Sequence, residues 1–133
     1  MDAALRNLVR QRAGNRCEYC RLHQTHAPYS TLHIDHITPR KHGGSDDPSN
    51  LALACNRCTR HKGSNLTGID PDGGNIIPLF QPRTDTWADH FEFRGALIVG
   101  LTPIGRVTVR VLNMNARERI QLRTKLLARG QLG

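Results

Sequence analysis

Large aromatic side chains are scarce: three Phe, two Tyr and one Trp in 133 residues. With hydrophobic residues at 38%, packing alone leaves a modest core and thin stability. A metal staple would fit that shortage. Long apolar runs are also missing. The longest, near Leu97-Ile98-Val99, is far too short to span a bilayer, so no membrane partner is expected. The opening Met1-Asp2-Ala3-Ala4-Leu5-Arg6 has no apolar h-region, and a cytoplasmic location is the expectation. Acidic residues are outnumbered, 11 against 19 Lys and Arg. The formal charge is +8 and the pI about 10.2, a balance that attracts polyanions, nucleic acid above all. Charge alone leaves a merely soluble basic protein as the alternative. The shortage of aromatics weighs against a stacking surface for single strands. There is no internal repeat, and the length predicts one domain.

Four cysteines are present, as two Cys-x-x-Cys pairs, Cys17/Cys20 and Cys55/Cys58. That spacing suits tetrahedral thiolate coordination of a structural Zn²⁺ better than two disulfides or a redox motif. A closed thiolate tetrahedron has no position for water, so its role would be to pin two segments together. His23 and His26 follow the first pair in a polar loop that runs to Thr31 and carries Pro28. With four thiolates complete, they read as exposed loop histidines.

The periodicities predict an α+β chain. Residues 2–13 read as a helix capped by Asp2, with Leu5, Leu8 and Val9 as its apolar stripe; Arg6, Arg10 and Arg12 lie largely off it and could touch phosphate, although a solvated face is the commoner explanation of such charges. Gly14-Asn15 ends it. Residues 31–37 alternate as a strand, which puts Leu32, Ile34 and His36 on one face and His33, Asp35 and Ile37 on the other. Pro39 stops the strand, and a basic Gly43-Gly44 loop follows. Asn50 to Ala54 is a second short strand, and a short helix starts near Cys58. Residues 63–88 are rich in Gly and Pro and read as irregular chain anchored by Ile76, Ile77, Leu79, Phe80 and Trp87. Phe91 to Leu101 reads as a hairpin. Beyond it, Thr102-Pro103 opens a helix, although Val107, Val109 and Val111 fit a strand equally well. Asn115 to Glu118 has capping-box spacing and opens a final helix to about Arg129.

The stretch from His33 to Lys62 carries the chemistry. Hydrolysis of a phosphodiester near neutral pH needs a base for water and a cation for the charge on phosphate and leaving oxygen. Histidine suits the first task, with an ordinary pKa near 6.5. A carboxylate suits a hard divalent cation. Neighbouring strand residues point to opposite faces, so Asp35 and His36 can divide the two tasks. An isolated Asp-His pair would more often be a satisfied core histidine.

Here the pair stands in an array: Cys17-x-x-Cys20, His33-Ile-Asp35-His36-Ile37-x-Pro39, Gly43-Gly44, Asn50-Leu51, Cys55-x-x-Cys58 and Lys62. Over residues 15–65 this resembles the HNH family of nucleases, in the subgroup whose ββα-metal motif is braced by a four-cysteine zinc site. Residues 1–14 would form an N-terminal helix and residues 66–133 a C-terminal extension. From Ile76 to Leu126 that extension looks like the tail of many short bacterial HNH proteins. The resemblance implies a DNA endonuclease that leaves 5′-phosphate and 3′-hydroxyl ends, using Mg²⁺ or Mn²⁺ at the catalytic site. Asp35 would bind the metal, His36 would be the general base, and Asn50 would hold the loop that orients His36. Duplex DNA would be the partner, its phosphates gripped by Arg40, Lys41, Arg57, Arg60 and Lys62. The chain would act as a monomer or homodimer, with or without a targeting protein. Restriction, phage defence, homing and phage packaging all use this motif.

One position departs from the family pattern. The second metal ligand, usually His or Asn directly after the last cysteine, is Thr59 in this chain. Three arrangements follow: Thr59 ligates directly or through water; His61, Asn56 or His33 substitutes; or the site is weakened. The last would leave a zinc-ribbon DNA-binding module.

Overall fold

The computed structural model of the chain describes residues 1–27 and 30–132. Pro28 of the expected loop lies outside them. The order is α1 (Ala3–Arg12), β1 (His33–His36), β2 (Leu51–Ala54), α2 (Asn56–Lys62), β3 (Thr67–Ile69), β4 (Ile76–Pro78), α3 (Trp87–His90), β5 (Phe91–Arg94), β6 (Leu97–Gly100), α4 (Pro103–Val111) and α5 (Arg117–Ala128). Single 3₁₀ turns occupy Gln24–His26, Arg40–His42 and Pro48–Asn50. The strands pair as three antiparallel hairpins, β1–β2, β3–β4 and β5–β6. This is the mixed α+β architecture expected. Among the described residues, no helix is long and apolar enough to cross a membrane.

β2 is the axis of the molecule. Leu51, Ala52, Leu53 and Ala54 are all buried. One edge pairs with β1, Asp35 opposite Ala52 and His36 opposite Leu51. On the other edge one residue satisfies Leu53: Glu18 N–H donates to the Leu53 carbonyl at 2.8 Å, and Glu18 Oε2 accepts from Leu53 N–H at 2.8 Å. A carboxylate thus replaces a strand and closes a sheet edge that would otherwise present bare backbone. Arg83 pairs with the same carboxylate.

Helix α1 forms as read, with the Asp2 side chain accepting from Leu5 N–H at 2.8 Å. Two details differ. Leu8 stays exposed, leaving Val9 to fill the core. Arg12 is not on a solvated face: its guanidinium donates to the carbonyls of Pro48 (3.0 Å) and Leu51 (2.7 Å). It thereby satisfies acceptors at the start of β2.

Residues 63–88 are more ordered than their Gly and Pro content suggested, since they contain the β3–β4 hairpin. These strands have three residues each, too few to show alternation. The hairpin is held by Arg106 of α4, which grips Asp70 with two nitrogens at 2.9 and 3.0 Å. Ile76 does not anchor it and stays largely exposed, whereas Leu79 and Phe80 are buried. The Thr102-Pro103 segment settles as a helix: Thr102 Oγ1 accepts from Gly105 N–H at 3.1 Å, and Val107 and Thr108 turn inward. The expected capping box fails. Ala116 is the N-cap of α5, and the Asn115 amide instead bonds both backbone groups of Ile98. That side chain zips β6 to the start of α5.

The few aromatics are concentrated. Phe80 packs edge-on against Tyr19 and Phe91, and Trp87 stacks on Phe91 at 5.1 Å. The Trp87 indole N–H donates to the Tyr19 carbonyl at 2.7 Å. Among the described residues these rings meet at one seam, where the segment after β4 packs against the first cysteine knuckle.

Candidate metal centres and cleft

Two polar centres flank the β1–β2–α2 unit. The first is the sulfur cluster. Cys17 and Cys20 sit on a tight turn after α1, and Cys55 and Cys58 on the first turn of α2. The Cys55 sulfur also caps that helix, accepting from Cys58 N–H. All four Sγ atoms lie within 4.8 Å of one another, and Cys20 Sγ to Cys55 Sγ is 3.7 Å. A Zn–S bond of about 2.3 Å gives a tetrahedron with edges of about 3.8 Å, so the donor set fits Zn²⁺. All four cysteines are buried and unpaired by disulfides. Burial pushes the Cys17 thiol up, and the hydrogen bonds of neighbouring sulfurs raise Cys58 and lower Cys55. His23 and His26 take no part: His23 Nδ1 faces Thr25 Oγ1 at 2.9 Å.

The second centre is an open cleft of about 310 Å³ lined by Ile34, Asp35, His36, Pro39, Arg40, Thr59 and Gly63. Asp35 and His36 are neighbours on β1, and both line this cleft. Asp35 is buried, and both its hydrogen-bonding partners act on Oδ2: Lys62 Nζ at 3.2 Å and the Tyr19 hydroxyl at 3.3 Å. Oδ1 takes no hydrogen bond among the described residues. Burial raises the Asp35 carboxyl above the ordinary carboxylate range, and the Lys62 ammonium works against that rise. Thr59, one turn into α2, has a buried Oγ1 with no partner among the described residues. A buried hydroxyl without a partner is costly. An acidic oxygen and an orphaned hydroxyl in one cleft fit a hard divalent cation that completes its shell with water or phosphate oxygens.

His36 is one-fifth exposed. Its Nε2 lies 2.7 Å from Asp46 Oδ1, and Arg40 donates to the same oxygen at 2.8 Å. The hydrogen bond from His36, with Arg40 beside it, holds the Asp46 carboxyl below its usual range. The loop that brings Asp46 there is tied by Asn50. Its amide accepts from Thr38 N–H (2.8 Å) and donates to the carbonyls of Thr38 (3.0 Å) and Ser45 (2.8 Å). Both glycines of the loop have a reason. Gly43 has φ +86°, and a Cβ on Gly44 would collide with the Thr38 carbonyl and press on Asn50 Nδ2.

The structure thus brings Asp35, His36, Arg40 and Thr59 into one cleft, with Asn50 behind its loop. It separates others. His61 lies on the far side of α2, its Nε2 3.5 Å from the Arg57 guanidinium. His33 opens into a neighbouring cleft, and Asn56 lines another beside Glu118. None of these three lines the cleft of Asp35. Arg57 is paired with Glu118 at 2.7 Å, which leaves it poorly placed as a phosphate contact. Lys62 corrects an expectation outright: its side chain is 2% exposed, its ammonium held by Asp35 and the His36 carbonyl (3.0 Å), so it is no surface contact for DNA. Lys41 and Arg60 remain exposed. Sequence reasoning missed Asp46, Tyr19 and the inward turn of Lys62. Asp46 sat in an ordinary turn with no signal. The position of Lys62 one turn after Thr59 was the only hint for the lysine.

Comparison with known proteins agrees with this layout. Residues 17–65 match the family model described as HNH endonuclease, a span from the first knuckle cysteine to just beyond α2. No curated protein and no solved structure matches the chain.

Proposed function

With an HNH-family segment at residues 17–65, we propose that this protein is a divalent-metal-dependent endonuclease that hydrolyses phosphodiesters of duplex DNA. The observation that carries the reading is one cleft lined by a base candidate, His36, by Asp35 and by Thr59, where among the described residues neither Asp35 Oδ1 nor Thr59 Oγ1 takes a hydrogen bond. Asp35 and Thr59 would hold Mg²⁺ or Mn²⁺, which when bound would neutralise charge on the phosphate and the leaving oxygen.

The chain's own residues do the rest. Asp46 accepts from Nε2–H of His36 and fixes the tautomer, which leaves Nδ1 to take the proton from water. The same carboxylate stabilises the imidazolium that results, and Arg40 keeps it in place. Asn50 stiffens the loop so that this geometry is preset. Tyr19 and Lys62 orient the Asp35 carboxylate through Oδ2 and leave Oδ1 for the cation. The four cysteines would carry a structural Zn²⁺ that locks α2, and with it Thr59, to the first knuckle. Products would be 5′-phosphate and 3′-hydroxyl ends.

Supercoiled-plasmid relaxation with Mg²⁺ or Mn²⁺ tests this. The native protein should nick, and His36→Ala should lose on the order of 10³-fold in rate. If neither cuts but both retard duplex DNA, the protein is a zinc-braced binding module and the enzymatic reading falls.

A further inference from the structure

A second cleft, of about 350 Å³, adjoins the first and shares Ile34 with it. It is lined by Arg6 and Arg10 of α1 and by Thr31 and His33 at the start of β1. Arg6 and Arg10 are four residues apart, so their side chains lie on one face of the helix. Among the described residues no carboxylate lines the cleft. Many arginines of this chain are engaged: Arg12 on carbonyls, Arg57 on Glu118, Arg83 on Glu18, Arg106 on Asp70. Among the described residues, Arg6 and Arg10 have no ion pair. Two uncompensated guanidiniums in a concave site, continuous with a cleft suited to one phosphate, form an anion track.

We propose that Arg6, Arg10 and His33 bind backbone phosphates of the DNA strand being cut, on the side of the scissile phosphate away from Arg40. The inference rests on the endonuclease reading above and adds the path of the substrate. β1 is its ruler. At about 3.3 Å per residue, His33 lies about 10 Å along the strand from His36. A DNA strand advances about 3.4 Å per phosphate along the duplex axis, so a span of about 10 Å keeps the track within a few nucleotides of the cut. It takes the place of Arg57 and Lys62, which the fold commits to Glu118 and Asp35. Such contacts set register on the duplex and carry no base information.

The test compares Arg6→Gln/Arg10→Gln with the native arginines and with Arg129→Gln, an exposed charge on the cap of α5. Glutamine keeps helix propensity near that of arginine. Binding to a fluorescent duplex is titrated against salt in a His36→Ala background without added Mg²⁺, and single-turnover cutting is measured in the active protein. The double variant should lose on the order of tenfold in affinity and about two units of salt slope. Its single-turnover cutting at sub-saturating DNA should fall in step with the lost affinity. Affinity and slope equal to those of Arg129→Gln would overturn the track, as would absence of duplex binding by the parent. Loss of slope without any cutting by the active protein would keep the track and sink the endonuclease. Intact cutting with unchanged slope would do the reverse.

Discussion

The two polar centres on either side of α2 are built in opposite ways. The sulfur cluster is closed and built of like pieces: two Cys-x-x-Cys knuckles deliver four thiol donors, each buried. The cleft is open and assembled from unlike pieces. Its carboxylate is steered by Tyr19 from the first knuckle and Lys62 from the end of α2, and its imidazole by Asp46 from a loop. One helix serves both, with Cys55 and Cys58 on its first turn and Thr59 and Lys62 after them. A closed centre can carry stability because nothing needs to enter it. An open one must keep donors unsatisfied, and here it borrows an internal cation, the Lys62 ammonium, to tolerate its buried carboxylate.

That contrast can be broken or sharpened by experiment. The largest effect should come from stripping the sulfur cluster. Apparent zinc affinities worth on the order of 10 kcal/mol rival the whole stability of a small domain, so a strong chelator should abolish cooperative unfolding in circular dichroism. Acidification should release the metal too, since thiolates bind it only when deprotonated. A protein that stays folded without zinc would erase the distinction.

Next is Lys62→Met. Removing one partner of a buried pair should cost about 3 kcal/mol in urea unfolding without divalent metal. Mn²⁺ should then raise the melting temperature of the variant more than that of the native protein, because a second cation can replace the first. Equal Mn²⁺ shifts would mean the ammonium is not compensating the cleft.

Asp46→Ala should lower the turnover number about 10- to 100-fold with duplex affinity unchanged, as expected for loss of a group that orients a reacting side chain. A change in affinity alone would make Asp46 a binding residue. The smallest effect concerns Thr59→Asn. An amide oxygen is the better ligand for a hard cation, so cutting should be at least as fast, by about two- to fivefold at low Mg²⁺. A clear fall would show that the hydroxyl is the fitted donor.

Much of the fold was legible. Asp2 and Thr102 cap helices as their residue types suggest, and the β1–β2 hairpin and α2 lie close to their expected bounds. The errors share a cause. Arg12, Lys62 and Asn115 were read as surface or cap residues from local context, and each is claimed by a distant backbone or carboxylate partner. Long polar side chains have the reach to satisfy buried groups that no window of sequence displays. The β3–β4 hairpin escaped because three-residue strands carry no period and depend on Arg106 from α4.

By itself, the sequence determined the two cysteine knuckles, the Asp35-His36 step and the glycine-rich loop, because spacing, strand alternation and backbone freedom are local properties. Only the tertiary structure decided which oxygens of the cleft stay without donors, which carboxylate steadies His36, and which arginines remain unpaired beside β1. Those outcomes are settled by competition among distant groups for a limited number of partners, and the winner depends on where the folded chain places each of them.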